Sequence, residues 1–179
     1  MEMICFIFQM LFVFQIKHFL ADYPLQTPYM LGKFQSGIGF VKPLAAHCGV
    51  HAAFTFMIVM MWNAEEYDRL TVALLLAGFD FVIHFVMDRI KASPDMMGHW
   101  KALSASEYRQ TVTAGAHWKK GAIRELAELK LRHNKYFWWA LGFDQMVHHL
   151  TDYVIIFVMF LNKYGYVVHR VIQESGYAL

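Results

Sequence analysis

The sequence predicts an all-α integral membrane protein in which four helices form a bundle. Apolar residues make up 58% of the 179-residue chain and charged residues only 17%, whereas a soluble domain carries roughly 25% charged residues. Four apolar stretches of 19 to 26 residues are each about long enough to cross a hydrocarbon core: residues 3–22, 43–62, 70–88 and 136–161. None shows the polar face of a soluble surface helix. We therefore expect a single membrane domain over residues 1–179.

The ends of the four stretches carry signals that support helices. Residues 3–22 lack a preceding basic segment and a small-x-small cleavage site, so we expect an uncleaved span and not a secretory signal. Pro24 favours an extended exit from this span, and Pro43 suits the first turn of the next. The fourth span opens on an aromatic cluster, residues 136–139, which is typical of a membrane interface.

The basic residues predict how the bundle is oriented. Thirteen of the 16 Lys and Arg residues lie on one side of the predicted membrane, and the positive-inside rule places that side in the cytoplasm. The N-terminus is then outside. Residues 91–135 are predicted to form a cytoplasmic segment that lies on the membrane surface and is partly helical.

Ionisable side chains inside the predicted spans recur in pairs four residues apart. Such residues project from one face of a helix, and ionisable groups in a membrane usually face a bundle interior. The direction of each span puts all four pairs in the cytoplasmic half at similar depth. The pairs are His18 and Asp22, His47 and His51, His84 and Asp88, and Asp144 and His148. One such pair alone would more often be a structural hydrogen bond between helices, but four at one depth predict a metal centre.

The predicted ligands are therefore five histidines and three aspartates: His18, Asp22, His47, His51, His84, Asp88, Asp144 and His148. Imidazole with carboxylate favours zinc, with manganese, iron or magnesium as alternatives. One ion needs three or four protein ligands, so eight candidates indicate one or two ions, with a bridging carboxylate in the second case. Asp80 and Asp152 lie one turn deeper and are predicted to orient the rings of His84 and His148.

These motifs resemble those of a family of small multi-span membrane proteins from bacteria and their phages. That family is itself similar to the membrane-bound metal-dependent hydrolases with a His-x3-Asp signature. The resemblance covers roughly residues 15–155 and rests on His18-x3-Asp22 with the following Leu-Gln-Thr, His47-x3-His51, His84-x3-Asp88 with Lys91, and Asp144-Gln-x2-His148. It implies a multi-helix membrane fold, a metal site, hydrolytic activity and a place in the bacterial inner membrane.

The function we predict is a metal-dependent hydrolase that acts on a lipid or lipid-linked phosphate ester at the cytoplasmic leaflet. Asp22 or Asp144 would serve as general base, and Gln26, Thr27 and Lys91 would hold a phosphate or an oxyanion. The basic segment would attract anionic lipid headgroups. Membrane lipid is the expected partner, nucleic acid is not, and a homo-oligomer stays open.

Three alternatives compete with hydrolysis. A divalent metal transporter would need polar groups along the whole crossing, whereas the outer halves of the spans are almost purely apolar. Haem held by histidine pairs fits less well, because a carboxylate lies one turn from most of these histidines and favours a harder metal. A membrane effector with a purely structural metal would bind the ion without turnover.

Overall fold

The computed structural model of the protein describes residues 1–62, 68–93, 96 and 135–174, with the side chains of the last helix described over 138–165. Regular structure in these residues is entirely helical, which confirms the all-α prediction for this part of the chain. The helices are α1 Glu2–Asp22, α2 Val41–Trp62, α3 Arg69–Ala92 and α4 Lys135–Glu174, and a short 3-10 helix covers Met30–Phe34. Helices α1, α2 and α3 are long and apolar enough to cross a membrane.

The helices begin within two residues of the predicted spans, and two of them end well beyond the predicted span ends. Helix α3 continues past residue 88 to Ala92, so Lys91 lies on its last turn and not in a surface segment. Of the predicted surface segment, residues 94, 95 and 97–134 lie outside the described residues. Helix α4 continues to Glu174, past residue 161, where the fourth span is predicted to end. Its 40 residues correspond to about 60 Å at 1.5 Å per residue. The helix continues beyond the apolar run because a loss of hydrophobicity does not interrupt helical hydrogen bonding.

Polar and apolar side chains are distributed as in a protein surrounded by lipid. Asp80 and His84 are 0% exposed, whereas Phe8 and Phe12 on α1 are each 68% exposed. A soluble protein buries its large apolar residues and rarely buries unpaired charges. This protein shows the reverse arrangement, which favours a lipid environment. There, exposed apolar side chains carry no free-energy penalty, and polar groups must find partners inside the protein.

The interior divides along its length into an apolar part and a polar part. The apolar core contains Phe6, Met10, Phe14, Ile58, Val59, Ala73, Leu76, Ile155, Ile156 and Met159. These residues lie early in α1 and α3 and late in α2. The opposite ends of the same helices carry the ionisable residues, so the antiparallel order of α1, α2 and α3 gathers them at one end.

The connection between α1 and α2 is packed against that polar end. Gly32 in the 3-10 helix lies so close to α2 that an added Cβ would be 2.8 Å from Cγ of Pro43. Gly37 has φ of 66°, a left-handed conformation that favours glycine. The Arg89 guanidinium donates to the Gln35 carbonyl oxygen at 3.2 Å and lies 3.6 Å from the centre of the Phe40 ring. These contacts hold the connection beside the end of α3.

Candidate metal centre

The structure brings together all eight residues predicted as ligands. They come from α1, α2, α3 and α4, and seven of them are buried, while the Asp22 side chain is 17% exposed. Because the helices run in alternate directions, pairs that are far apart in sequence meet at one level. Their roles as metal ligands stay a prediction.

Asp22 connects α1 to α2. Its Oδ2 atom lies 3.0 Å from Nε2 of His18, and its Oδ1 atom lies 3.1 Å from Nε2 of His51 and 3.5 Å from Nε2 of His47. His18 Nε2 also lies 3.1 Å from Oε1 of Gln145 on α4. One carboxylate thus contacts three imidazoles.

Asp88 is the corresponding carboxylate of α3. Its Oδ2 atom lies 3.0 Å from Nε2 of His47 and accepts a hydrogen bond from Nζ of Lys33 at 3.1 Å. Its Oδ1 atom lies 3.9 Å from Nε2 of His148. Lys33 is only 6% exposed although it belongs to the connection between α1 and α2. That connection therefore reaches into the polar cluster and does not merely cover it.

Asp144 completes the set from α4. Its Oδ1 atom lies 3.3 Å from Nε2 of His148, one turn later on the same helix. Its Oδ2 atom accepts a hydrogen bond from Nζ of Lys91 at 2.5 Å. The Lys91 side chain keeps 29% of its surface exposed, so this ion pair lies at the edge of the cluster and the histidines lie deeper.

The imidazole rings are packed against one another across helix boundaries. The ring centres of His51 and His84 are 4.0 Å apart, and those of His84 and His148 are 4.1 Å apart. His18 lies 5.6 Å from His51, and His47 lies 5.0 Å from His51. The five histidines are therefore contiguous, and the cluster joins all four helices.

Three groups within the cluster have the proximity that a metal ion requires. In each group one ligand atom from every residue lies within 4.8 Å of the others. The groups are His18, His51 and His84; Asp22, His47 and His51; and Asp88, Asp144 and His148. Ligands about 2.0–2.2 Å from one zinc ion are separated by less than this limit, so each group could close around an ion after small movements.

Unpartnered nitrogens provide a test of whether the residues fit a metal. Each of the five histidines has one buried ring nitrogen without a hydrogen-bond partner: Nδ1 of His18, His47, His51 and His148, and Nε2 of His84. A buried polar atom left without a partner costs roughly 1–3 kcal/mol. Five such atoms in one cluster fit a bound cation, since imidazole lone pairs are good ligands for divalent metals.

A second layer of buried charge lies one turn deeper. Nζ of Lys17 donates to Asp80 Oδ2 at 2.9 Å and to Asp152 Oδ1 at 2.8 Å, and Oγ1 of Thr55 donates to Asp80 Oδ2 at 2.6 Å. These four residues come from the four helices and are at most 2% exposed. The layer ties the helices together directly beneath the histidines.

The two aspartates of this layer differ from each other in their contact with histidine. Nδ1 of His84 donates to the backbone carbonyl oxygen of Asp80 at 3.0 Å, and the Asp80 carboxylate lies at the same distance without a hydrogen bond of good geometry. Asp152 does not orient His148 as predicted. Its Oδ1 instead accepts a hydrogen bond from the buried Lys17 ammonium group of α1, and its Oδ2 has no hydrogen-bond partner.

Gln26 and Thr27 follow α1, and in the described part of the chain their side chains make no polar contact with the cluster. Gln26 is half-buried and Thr27 is exposed. The Thr27 carbonyl oxygen accepts a hydrogen bond from the Met30 amide at 3.0 Å, which begins the 3-10 helix. Their predicted role in holding an anion stays a prediction.

The sequence pattern missed several residues that the structure places in or beside the cluster, among them Lys17, Gln145 and Lys33. Lys17 carried a usable signal, since a lysine within an apolar span demands an internal partner. Gln145 stands inside the Asp144-Gln-x2-His148 motif, but nothing local indicates that it reaches His18. Lys33 carries no local signal, because lysines in a polar connection usually face solvent.

The fold and the site together define a helical protein with three helices long enough to cross a membrane and with His and Asp groups able to hold a metal ion. The chain belongs to the family described as Protein of unknown function (DUF3307), whose model matches residues 10–175. No curated protein and no solved structure matches the chain.

Proposed function

We propose that this protein is a membrane-embedded metal-dependent hydrolase of a lipid or lipid-linked phosphate ester, acting at the cytoplasmic leaflet of a bacterial inner membrane. The observation that carries the proposal is the buried cluster of five histidines and three aspartates drawn from four helices. Burying ionisable groups in a lipid environment costs free energy, and the packing of four helices does not by itself require five buried histidines.

The charges of the cluster favour a divalent cation. Its two layers hold five carboxylates, Asp22, Asp80, Asp88, Asp144 and Asp152, and three ammonium groups, Lys17, Lys33 and Lys91. With neutral imidazoles, two negative charges are left uncompensated. Buried charge without a counter-ion is strongly unfavourable, and one divalent ion would restore neutrality.

The roles of the protein's own groups follow from their exposure and partners. Asp144 Oδ1 is buried and has no hydrogen-bond partner, which suits a general base that takes a proton from water. Lys91, 29% exposed at the edge of the cluster, suits an anchor for the phosphate oxygens. Asp22, contacting three histidines, is better placed to position ligands.

Hydrolysis then requires one bond to form and one to break. The oxygen of water bonds to phosphorus while the bond from phosphorus to the lipid alcohol oxygen breaks. The proton released by water passes to the carboxylate, which then gives it to the departing alcohol oxygen. A bound divalent ion supplies stabilisation of negative charge and lowers the pKa of water.

The surroundings of the cluster favour a lipid substrate. The connection between α1 and α2 exposes large apolar side chains, among them Tyr29 at 57% and Ile38 at 88%, which suits contact with lipid at a membrane interface. Beside it lies a recess of about 740 Å³ whose lining includes Gln35, Lys42 and Pro43. A headgroup could reach the edge of the cluster from this side, and the positive-inside rule supports a cytoplasmic location.

The apolar part of the bundle argues against transport of the ion. A transporter would need polar groups on both sides of the site. In the described residues the interior beyond Lys17 is filled by Phe6, Met10, Phe14 and their neighbours on the other helices. This supports a pocket that opens toward one side.

The test is phosphate release from vesicles that contain a lipid phosphomonoester, measured with the full chain in nanodiscs and with added Zn²⁺ or Mn²⁺. We expect metal-dependent turnover that falls at least 100-fold in His51→Ala, because a ligand is lost. The control is Val154→Ala: Val154 is 48% exposed on α4 and lies outside the three groups. Turnover that is unaffected by chelation and by His51→Ala would refute the proposal.

A further inference from the structure

The three groups that could hold an ion are not equivalent: they differ in the number of histidines that they contain and in whether lysines pair with their carboxylates. A neutral imidazole has one N–H and one lone pair, and the nitrogen that faces an acceptor carries the hydrogen. Metal-bound histidines usually donate their second nitrogen to a carboxylate or a carbonyl, which leaves the other nitrogen for the metal. This rule identifies which nitrogens are free to bind.

His18 and His51 share Asp22 as their acceptor. Nε2 of His18 faces the Asp22 carboxylate and the Gln145 side-chain oxygen, both of which are acceptors. Nε2 of His51 faces the other Asp22 oxygen at 3.1 Å. In both rings Nε2 therefore carries the hydrogen, and Nδ1 is a lone pair that is buried without a partner.

His84 shows the same arrangement with its nitrogens exchanged. Its Nδ1 donates to the Asp80 carbonyl oxygen, so its Nε2 is the lone pair, again buried and unpartnered. Ring nitrogens of His18, His51 and His84 lie within 4.8 Å of one another. Three imidazoles from α1, α2 and α3 thus lie within one group, and each of them has one free lone pair.

The uncompensated charges lie beside these same three histidines. In the described part of the chain, the ion-pair contacts of Asp22 are with imidazoles alone. Asp80 and Asp152 share the single ammonium group of Lys17. Asp22 therefore keeps one negative charge, and the set of Asp80, Asp152 and Lys17 keeps another. Together these two negative charges match the charge of one divalent ion held between them.

The group formed by Asp88, Asp144 and His148 is different, because lysines already neutralise it. Lys33 pairs with Asp88 at 3.1 Å, and Lys91 pairs with Asp144. A second divalent ion would bring two further positive charges against two ammonium groups in a buried site. Like charges at such distances repel strongly where water is excluded.

The geometry points to a mononuclear centre in which His18, His51 and His84 hold one divalent ion, while Lys33 and Lys91 take the place of a second ion. The inference deepens the proposed function and rests on its metal centre. Three histidines leave a fourth position of a tetrahedral ion open, as catalytic zinc sites do. Asp22 and Asp80 are then positioning residues that hold the imidazoles.

The test counts ions and does not depend on turnover. The full chain in nanodiscs is loaded with Zn²⁺, dialysed and analysed for metal per protein. We expect one ion in the wild type, loss of at least 90% of it in His84→Ala, and one ion still in the control Lys163→Met, which changes an exposed lysine of α4. The double variant Lys33→Met/Lys91→Met should bind two ions, because Asp88 and Asp144 are then free.

Two ions in the wild type, or one in a folded lysine double variant, would overturn the inference while the proposed function stands. One ion with no phosphate release would support the inference and refute the proposed function. If the double variant does not fold, the charge-conserving Lys33→Met/Asp88→Asn variant decides: one retained ion supports the inference, and loss of the ion overturns it. Absorption of the Co²⁺-loaded wild type gives a further check, since a low-intensity octahedral spectrum would exclude a tetrahedral ion at the three histidines.

Discussion

Lys17→Met is the substitution that most directly tests how the buried charge layer stabilises the bundle. Lys17 is 2% exposed and donates to two carboxylates that are each 0% exposed. The variant keeps the length of the apolar stem but removes the only ammonium group in this layer. Asp80 keeps its bond from Thr55, whereas Asp152 loses its hydrogen bond and its other oxygen already has no partner.

The expected loss of stability follows from those contacts. Hydrogen bonds to charged groups contribute about 1.5–3 kcal/mol each, and removing one partner of a buried ion pair costs about 3–5 kcal/mol. Because Thr55 continues to satisfy Asp80, we expect a loss of about 3–5 kcal/mol and not the sum of two broken pairs. Equilibrium unfolding in mixed micelles, followed by circular dichroism, measures it.

Two matched variants separate charge from other effects. Lys163→Met removes an exposed lysine of α4 whose Nζ lies 5.3 Å from the centre of the Phe6 ring, and it should change stability by less than about 1 kcal/mol. Lys17→Met/Asp152→Asn removes one charge of each sign and should recover at least half of the loss. A Lys17→Met protein as stable as the Lys163→Met protein would refute the account of this layer.

Three other outcomes are expected. Thr55→Val should destabilise by about 1–3 kcal/mol in the same unfolding assay, because it removes a 2.6 Å bond to a buried carboxylate; a neutral result would mean that Lys17 alone satisfies Asp80. Gly32→Ala should increase protease cleavage in the connection between α1 and α2, since its Cβ would lie 2.8 Å from Cγ of Pro43, while Gly49→Ala, whose added Cβ meets nothing within 4 Å, should not. Dialysis against a chelator should lower the thermal midpoint and Zn²⁺ should restore it, in the wild type but not in His51→Ala; an unchanged midpoint in the wild type would show that no ion stabilises the fold.

The candidate site residues that the sequence predicted are those whose placement depends on the periodicity of a single helix. Asp80, His84 and Asp88 fall on one face of a helix at every fourth residue, whatever packs against that helix. The same holds for Asp144 and His148. Patterns of this kind placed all eight predicted ligands at one end of the bundle, and the structure brings them together there.

Local patterns could not assign partners between helices. Lys17 and Asp152 are 135 residues apart, and their contact depends on the rotation of α1 and α4 about their own axes. Asp152 follows His148 by four residues, so spacing alone pairs those two. The tertiary structure instead turns Asp152 toward Lys17. The role of Lys33 likewise depends on how the connection between α1 and α2 folds back onto α3.

Of the four membrane spans that the sequence predicted, three correspond to described helices that are long and apolar enough to cross a membrane. The sequence by itself determined the helical class and the end of the helices at which the ionisable residues meet. These features follow from the hydrophobic length of each run and from the 3.6-residue repeat, both of which are properties of single segments. Only the tertiary structure decided which nitrogen of each histidine faces a carboxylate and which carboxylates are neutralised by lysine. Those contacts form between segments, where a rotation of one helix exchanges one partner for another.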